Sequence, residues 1–125
     1  MTRINIIDVS ELHDQHLIAE YREITMVPAS LNRTLSSKQG LLKEKISKRF
    51  TLNSGHVYFF YDKGLYLDKR YKQIVTEMKL RGFNPDSNRI FPTKIFKDND
   101  LYNDWIPTIE DQALIRERIQ ERINS

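Results

Sequence analysis

The sequence has no cysteine and only four glycines and four prolines among its 125 residues. Without cysteine, the chain has no disulfide framework, no thiolate nucleophile and no cysteine-bound zinc. No apolar run is long enough to cross a membrane and no secretory signal is visible, so we expect a cytoplasmic setting. The length predicts a single domain, residues 1–125, with a modest core.

Neither sign of charge dominates the composition. The 20 Lys and Arg exceed the 17 Asp and Glu, which gives a net charge of +3 and a pI near 9.2. Cations are concentrated between residues 33 and 49, where Glu44 alone opposes Arg33, Lys38, Lys43, Lys45, Lys48 and Arg49. A basic, irregular stretch suits phosphate contacts, but it also suits a solubilising loop, and composition leaves both readings open.

The first predicted helix runs from Glu11 to about Met26, with Ser10 as its N-cap. Proline at position 28 predicts either the end of this helix or a bend, beyond which residues 29–33 continue it. Residues 34–49 are expected to be mostly loop, with a helical turn near 41–45.

Two further long helices are predicted. One spans roughly residues 63–81, with Asp62 as N-cap and Gly82 as the glycine that ends it; the other runs from an N-cap at Thr108 to about Ile123. The aromatic run at 56–61 is interpreted as a buried extended connector, and residues 84–103 as a long broken connection. The predicted fold is therefore all-α, with three main helices joined by long irregular connections.

One stripe along the first predicted helix combines apolar and titratable residues: Leu12, His16, Glu20, Glu23 and Val27. A carboxylate at an apolar border can have a raised pKa and act as an acid or base. The alternative is a helix with ordinary surface charges, in which Glu20 or Glu23 pairs with a neighbouring arginine. The pattern alone leaves both open.

The small side chain of Thr2 permits removal of the initiator methionine, which would leave the threonine α-amine free. An α-amine titrates near ~7.7–8.0, against ~10.4 for lysine, so about a third of it is neutral and nucleophilic near pH 7.5. Many proteins also begin with Met-Thr without using that amine, so the dipeptide by itself does not identify a nucleophile.

Several segments together resemble one family. These are residues 2–5, 9–12, 14–17 and 19–23 near the N-terminus, then 55–57, 59–63, 69–70 and 81–83, with a weaker match at 106–107 and along the last helix. The sequence resembles the phage pyrimidine-dimer DNA glycosylases, historically called endonuclease V. The resemblance covers most of the chain without a shift in register through residue 83.

The resemblance implies an enzyme for double-stranded DNA containing a lesion, in a bacterial or phage-infected cell. It implies that the Thr2 amine attacks the deoxyribose C1′ and forms a Schiff base, followed by β-elimination, while Glu23 stabilises the developing positive charge and assists proton transfer. Family residues that contact DNA match Arg3, Gln15, His16, Arg22, Arg118 and Arg122, and Arg33 is added from the basic stretch. We expect a monomer without a cofactor. We also expect no metal site, because His56 has no partner at metal-ligand spacing.

Three departures from the family pattern bear on substrate choice. Met26 stands where the phage enzyme has an arginine, the aromatic tail of that enzyme has no counterpart here, and residues 84–104 match poorly. Thr2 and Glu23 are both retained. The sequence therefore leaves open a glycosylase for pyrimidine dimers, the same imine chemistry on another damaged base, and a DNA-binding module without catalysis.

Overall fold

The computed structural model describes residues 2–124, without the side chain of Asn124. The regular secondary structure of these residues is helical, which confirms the all-α prediction. The α-helices are α1 (Asp14–Glu23), α2 (Met26–Ser36), α3 (His56–Phe59), α4 (Gly64–Leu80), α5 (Lys94–Asp98) and α6 (Ile109–Asn124). Short 3-10 turns lie at Val9–Glu11, Lys43–Lys45 and Phe60–Asp62. No β-strand forms within residues 2–124, and no helix there is long and apolar enough to span a bilayer.

The first predicted helix begins later than its sequence indicates. Ser10 does not cap it, because Asp8 captures both the Ser10 amide (2.9 Å) and the Ser10 hydroxyl (2.8 Å) and closes a separate 3-10 turn. His13 is then extended, and α1 starts at Asp14 without a side-chain cap. A stronger acceptor two residues upstream thus moves the start of the helix.

Of the two possibilities predicted at Pro28, the structure shows that the chain continues as a helix beyond it. A break at Ile24 and Thr25 separates α1 from α2, and Pro28 is the third residue of α2. The first four amides of a helix have no intrahelical acceptor, so a proline there costs no hydrogen bond. Because α2 reaches Ser36, Arg33 lies on a helix rather than in the following loop. The turn predicted near residues 41–45 is present at Lys43–Lys45.

The aromatic run at 56–61 is helical, so the prediction of an extended connector is wrong. Gly55, at φ 98°, begins α3, and the 3-10 turn Phe60–Asp62 follows directly. An extended chain would send alternate side chains to opposite sides. The helical path instead lets the consecutive residues Phe59, Phe60 and Tyr61 all be buried, which confirms that the aromatics belong to the core.

Helix α4 matches its predicted extent to within a residue at each end, but not its predicted cap. Asp62 forms an ion pair with Lys63 (2.7 Å). The first amides of α4 are satisfied by backbone carbonyls instead, from Gly64 to Leu101 (3.0 Å) and from Tyr66 to Asn103 (3.3 Å). At the other end Gly82 has φ 87°, and the amides of residues 82 and 83 bond back to Lys79 and Met78, as predicted for a glycine stop.

Thr108 caps α6 as predicted. Its hydroxyl accepts from the Asp111 amide (3.0 Å), and the Asp111 carboxylate accepts from the Thr108 amide (3.2 Å). The buried face of α6 is carried by Ile115 and Ile119, whereas Ile109, the first residue of the helix, is 80% exposed. Helix α6 therefore closes over the core along one narrow stripe and leaves its arginines outside.

Candidate active site

The N-terminal segment, residues 2–7, forms no helix or strand, runs beside α1 and buries the side chains of Ile4, Ile6 and Ile7. Its backbone amides bond to side chains rather than to a neighbouring strand. The pairs are Arg3 with Glu23, Ile4 with His56, and Asn5 with Glu20, each at 3.0 Å. These bonds fix the position of the first residues relative to the helices.

Glu23, at the end of α1, lies beside the beginning of the chain. Its Oε1 accepts the Arg3 amide, and Arg3 directly follows Thr2. Thr2 is half-buried, and its hydroxyl donates to the sulfur of Met26 at 3.5 Å. The residue that departs from the family pattern therefore contacts Thr2. Met1 lies outside the described residues, so its removal stays a prediction.

Glu20, one turn earlier on α1, is buried against Arg70 of α4. The Arg70 Nε donates to Glu20 Oε2 at 2.7 Å and its Nη2 to Oε1 at 3.1 Å. Arg70 also donates to the backbone carbonyls of Asn5 and Ile7. Of the two carboxylates left open by the sequence, Glu20 is thus the one paired with an arginine, and the pair anchors the N-terminal segment.

Glu23 borders a cleft of about 160 Å³ between α1, the N-terminal segment and α6. Three guanidinium groups line it, from Arg3, Arg118 and Arg122. Burial, followed by repulsion from Arg118 and Arg122, lowers the pKa of Arg3, and Glu23 acts in the opposite direction. The concentration of positive charge beside one carboxylate suits an anionic ligand such as a phosphate.

His16 also lines this cleft, one turn before Glu20. Burial is the largest cause of a lowered pKa for His16, and the neighbouring His13 and Arg122 lower it further. Its Nδ1 is buried and meets no hydrogen-bond partner among residues 2–124. His16 therefore contributes its ring to the wall of the cleft, with Nδ1 shielded from solvent.

The remaining predicted DNA contacts lie outside the cleft. Gln15 and Arg22 are exposed on α1, and Arg33 is exposed on α2. The other cations of the basic stretch, Lys38, Lys43, Lys45, Lys48 and Arg49, are exposed as well. The structure thus places Arg3, His16, Glu23, Arg118 and Arg122 around one cleft, with Thr2 directly before Arg3, and leaves Gln15, Arg22 and Arg33 exposed outside it.

Two residues that hold the site together were not predicted from sequence, His56 and Arg70. Both reach the N-terminal segment from more than 50 positions away, His56 at a separation of 52 and Arg70 at 65 from Asn5. The sequence does contain an indication of the role of Arg70, because this residue falls between Leu67 and Ile74 on the buried face of α4. A charge within an apolar stripe indicates a buried partner.

In this small all-α protein, three guanidinium groups and Glu23 line one cleft. Such a cationic cleft is typical of the class of proteins that act on a polyanion. Residues 1–91 match the sequence model of the family described as pyrimidine dimer DNA glycosylase, and the chain belongs to that family. It is therefore an enzyme of DNA repair, with DNA as its substrate. The match ends at Phe91, so α6 with Arg118 and Arg122 lies beyond it.

Proposed function

We propose that this protein is a bifunctional glycosylase and abasic-site lyase that breaks the glycosidic bond of a damaged base at cyclobutane pyrimidine dimers and then cleaves the strand. The nucleophile is the α-amine of Thr2, exposed once Met1 is removed. Glu23 is the catalytic carboxylate. The family match supports the substrate, and the site geometry supports the chemistry.

The observation that carries the proposal is the hydrogen bond of 3.0 Å from the Arg3 amide to Glu23 Oε1. Only one residue separates that amide from the Thr2 nitrogen, so the bond holds the start of the chain beside the carboxylate. The same carboxylate borders the cleft that is open to a ligand. An α-amine has the advantage that its pKa of ~7.7–8.0 leaves a useful neutral fraction without further tuning.

The reaction begins when the amine attacks the deoxyribose C1′ and the C1′–N bond to the base breaks, with the electron pair leaving on the base. The sugar gains positive charge in this step, and an anion nearby stabilises it. Sugar opening then gives the imine. Loss of a C2′ proton breaks the C3′–O bond on the 3′ side, and water releases the enzyme. Glu23 is placed to accept and return these protons.

Arginines around the site would hold the DNA backbone. Arg3, Arg118 and Arg122 contact phosphate within the cleft, His16 and Gln15 contact the nucleotides beside it, and Arg22 and Arg33 extend the cationic surface along α1 and α2. Each phosphate neutralised releases counterions, and these contacts offset the cost of unstacking the duplex. Three of the proposed DNA contacts, Arg3, Arg118 and Arg122, thus line the same cleft as Glu23.

Borohydride trapping on a duplex with one abasic site tests the imine. We expect a covalent adduct that survives denaturation, with the DNA remnant on the peptide containing Thr2 when the adduct is digested and analysed by mass spectrometry. A chain extended by Gly-Ser before Thr2 should form no adduct, and a chain extended by Gly-Ser after Ser125 serves as the matched control. Equal trapping by both chains would assign the imine to another amine.

A substrate panel tests the lesion. The protein is incubated with matched duplexes that carry a cyclobutane pyrimidine dimer, an oxidised base or no lesion, and cleavage of the glycosidic bond is measured separately from strand cleavage. We expect glycosidic cleavage only at the dimer. The Met26 contact with Thr2 makes the oxidised-base duplex the informative comparison, since release there alone would reassign the substrate while leaving the imine chemistry in place.

A further inference from the structure

The N-terminal segment is held from two opposite sides. In an extended chain, successive amides point in alternate directions. Here the amides of Arg3 and Asn5 point to α1, and the amide between them, that of Ile4, points away from α1 to His56 of α3. Two glutamates therefore secure one edge of the segment, and an imidazole secures the other.

Both ring nitrogens of His56 are engaged, and their partners define its tautomer. Nδ1 lies 2.7 Å from the Thr51 carbonyl oxygen, which can only accept, so Nδ1 carries the proton. Nε2 lies 3.0 Å from the Ile4 amide nitrogen, which can only donate, so Nε2 is an unprotonated acceptor. The ring packs edge-on against Phe50 and Phe60 and is 4% exposed, which leaves no room to reorient.

We propose that His56 is a positioning residue for the reaction proposed above: as the neutral Nδ1–H tautomer, it fixes the register of the N-terminal segment so that the Thr2 amine faces Glu23 and the cleft. The inference rests on the proposed function, because it assigns His56 a role in placing that nucleophile. His56 acts through the Ile4 amide and does not itself border the cleft.

The surroundings of His56 favour this neutral form. Burial is the main cause of its lowered pKa, the charge of Arg3 lowers that pKa further, and the Thr51 carbonyl opposes both. A protonated ring would place a donor, Nε2–H, against the donor of Ile4 and break the contact. The neutral ring is thus the form that fits the observed geometry.

The contact matters because the nucleophile is only two residues from it. Without His56, the bonds of the segment to α1 and to Arg70 remain, but no hydrogen bond holds the Ile4 amide. The free amine, two residues before Ile4, then moves furthest. Misplacement of a reacting atom by about 1 Å can cost up to about 100-fold in rate. We therefore expect His56 to control the rate of imine formation more than the affinity for DNA.

Two substitutions separate the hydrogen bond from the packing. His56→Phe keeps a ring among Phe50 and Phe60 but has no acceptor for the Ile4 amide. His56→Gln offers a side-chain oxygen near the position of Nε2. For each folded protein, the trapping rate is measured under single-turnover conditions at saturating protein, on the abasic duplex, together with the Kd for the same DNA and a thermal melt by circular dichroism.

We expect His56→Phe to trap about 10- to 100-fold more slowly, with unchanged DNA affinity, and His56→Gln to recover most of the rate. Wild-type trapping by a folded His56→Phe protein would overturn the inference and leave the proposed function intact. Failure of the wild-type protein to form any adduct would overturn both.

Nuclear magnetic resonance of the wild-type protein tests the tautomer of His56 and its bond to the Ile4 amide, even where a variant does not fold. Long-range 1H–15N spectra of the imidazole at neutral pH should show the Nδ1–H tautomer for His56, and the Ile4 amide should exchange slowly with solvent. An Nε2–H tautomer, a charged ring or a rapidly exchanging Ile4 amide would each overturn the assignment.

Discussion

Glu20 and Glu23 are the same residue type, three positions apart on α1, and each accepts a backbone amide of the N-terminal segment at 3.0 Å. Their surroundings differ. Glu20 is fully buried and its carboxylate is engaged by Arg70 of α4. Glu23 is half-buried at the border of the cationic cleft, next to the start of the chain.

The comparison shows that two identical side chains can have different roles in one fold, depending on what surrounds them. A buried guanidinium on both oxygens makes Glu20 part of the framework, because its charge is already balanced by Arg70 even though Glu20 also lines the cleft. Glu23 uses one oxygen to hold the segment and borders the space where a sugar would lie. The same change from glutamate to glutamine should therefore lower activity at position 23 and stability at position 20.

The largest effect is expected at position 23. Glu23→Gln keeps an oxygen for the Arg3 amide and should leave folding and DNA affinity close to wild type. It removes the negative charge and the proton acceptor, so cleavage of the glycosidic bond at a pyrimidine dimer should slow by about 100- to 10,000-fold. Single-turnover assays of glycosidic cleavage measure this. Full activity in this variant would exclude a catalytic role for the carboxylate.

The matched substitution, Glu20→Gln, should act on stability instead. It leaves Arg70 charged and buried without its counter-charge, and breaking one side of a buried ion pair costs about 3–5 kcal/mol. The free energy of unfolding is measured by urea titration followed by circular dichroism, with Glu23→Gln as the control. A stability equal to that of Glu23→Gln would mean that the two carboxylates are not divided in this way.

A smaller effect is expected when both charges are removed together. The double variant Glu20→Met, Arg70→Met has no uncompensated charge, so it should be less destabilised than the sum of the two single variants, with a coupling energy of about 0.5–3 kcal/mol. The Asn5 amide and the carbonyls of Asn5 and Ile7 still lose their partners, and each buried unsatisfied group costs about 1–3 kcal/mol. Additive single effects in a complete double-mutant cycle would show that the pair is not coupled.

The smallest effect concerns acid pH and the third contact of the segment. The pKa of His56 is lowered from its ordinary value of 6.5, so just below pH 6.5 the unfolded chain binds more protons than the folded one. This contribution to stability is complete above pH 6.5 and declines as the pH falls, by at most about 1.4 kcal/mol per pH unit.

Urea titrations between pH 5 and pH 8 should therefore show a shallower decline in His56→Gln than in the wild-type protein. His16, whose pKa is also lowered, titrates in both proteins and cancels in the comparison. Identical slopes in the two proteins would indicate that His56 is not held neutral by the fold.

Local signals in the sequence were sufficient for much of the fold. Helix α4 and its glycine stop at Gly82, and α6 with its cap at Thr108, follow from spacing and end residues that lie within one or two turns of each other. Ser10 and Asp62 were wrong as caps because nearby groups, Asp8 and the Leu101 carbonyl, make the decisive contacts. Caps were correct where no competing acceptor lay close.

The candidate site was predictable only in part, for the same reason. The stripe on α1 placed His16, Glu20 and Glu23 on one face, but it did not distinguish the roles of the two glutamates. That distinction depends on Arg70, which is 50 positions away from Glu20. The interpretation of Arg118 and Arg122 as site residues came from family resemblance, and the packing of α6 against the N-terminal segment places both in the cleft.

The amide contacts of the N-terminal segment also bear on the order of events during synthesis. Residues 3 to 7 are synthesised before two of their hydrogen-bond partners, His56 and Arg70, which follow Ile4 and Asn5 by 52 and 65 positions. Until residue 70 has been made, the segment lacks these two partners. A product truncated before that point would display the same residues without them, so the segment acquires its observed contacts only afterwards.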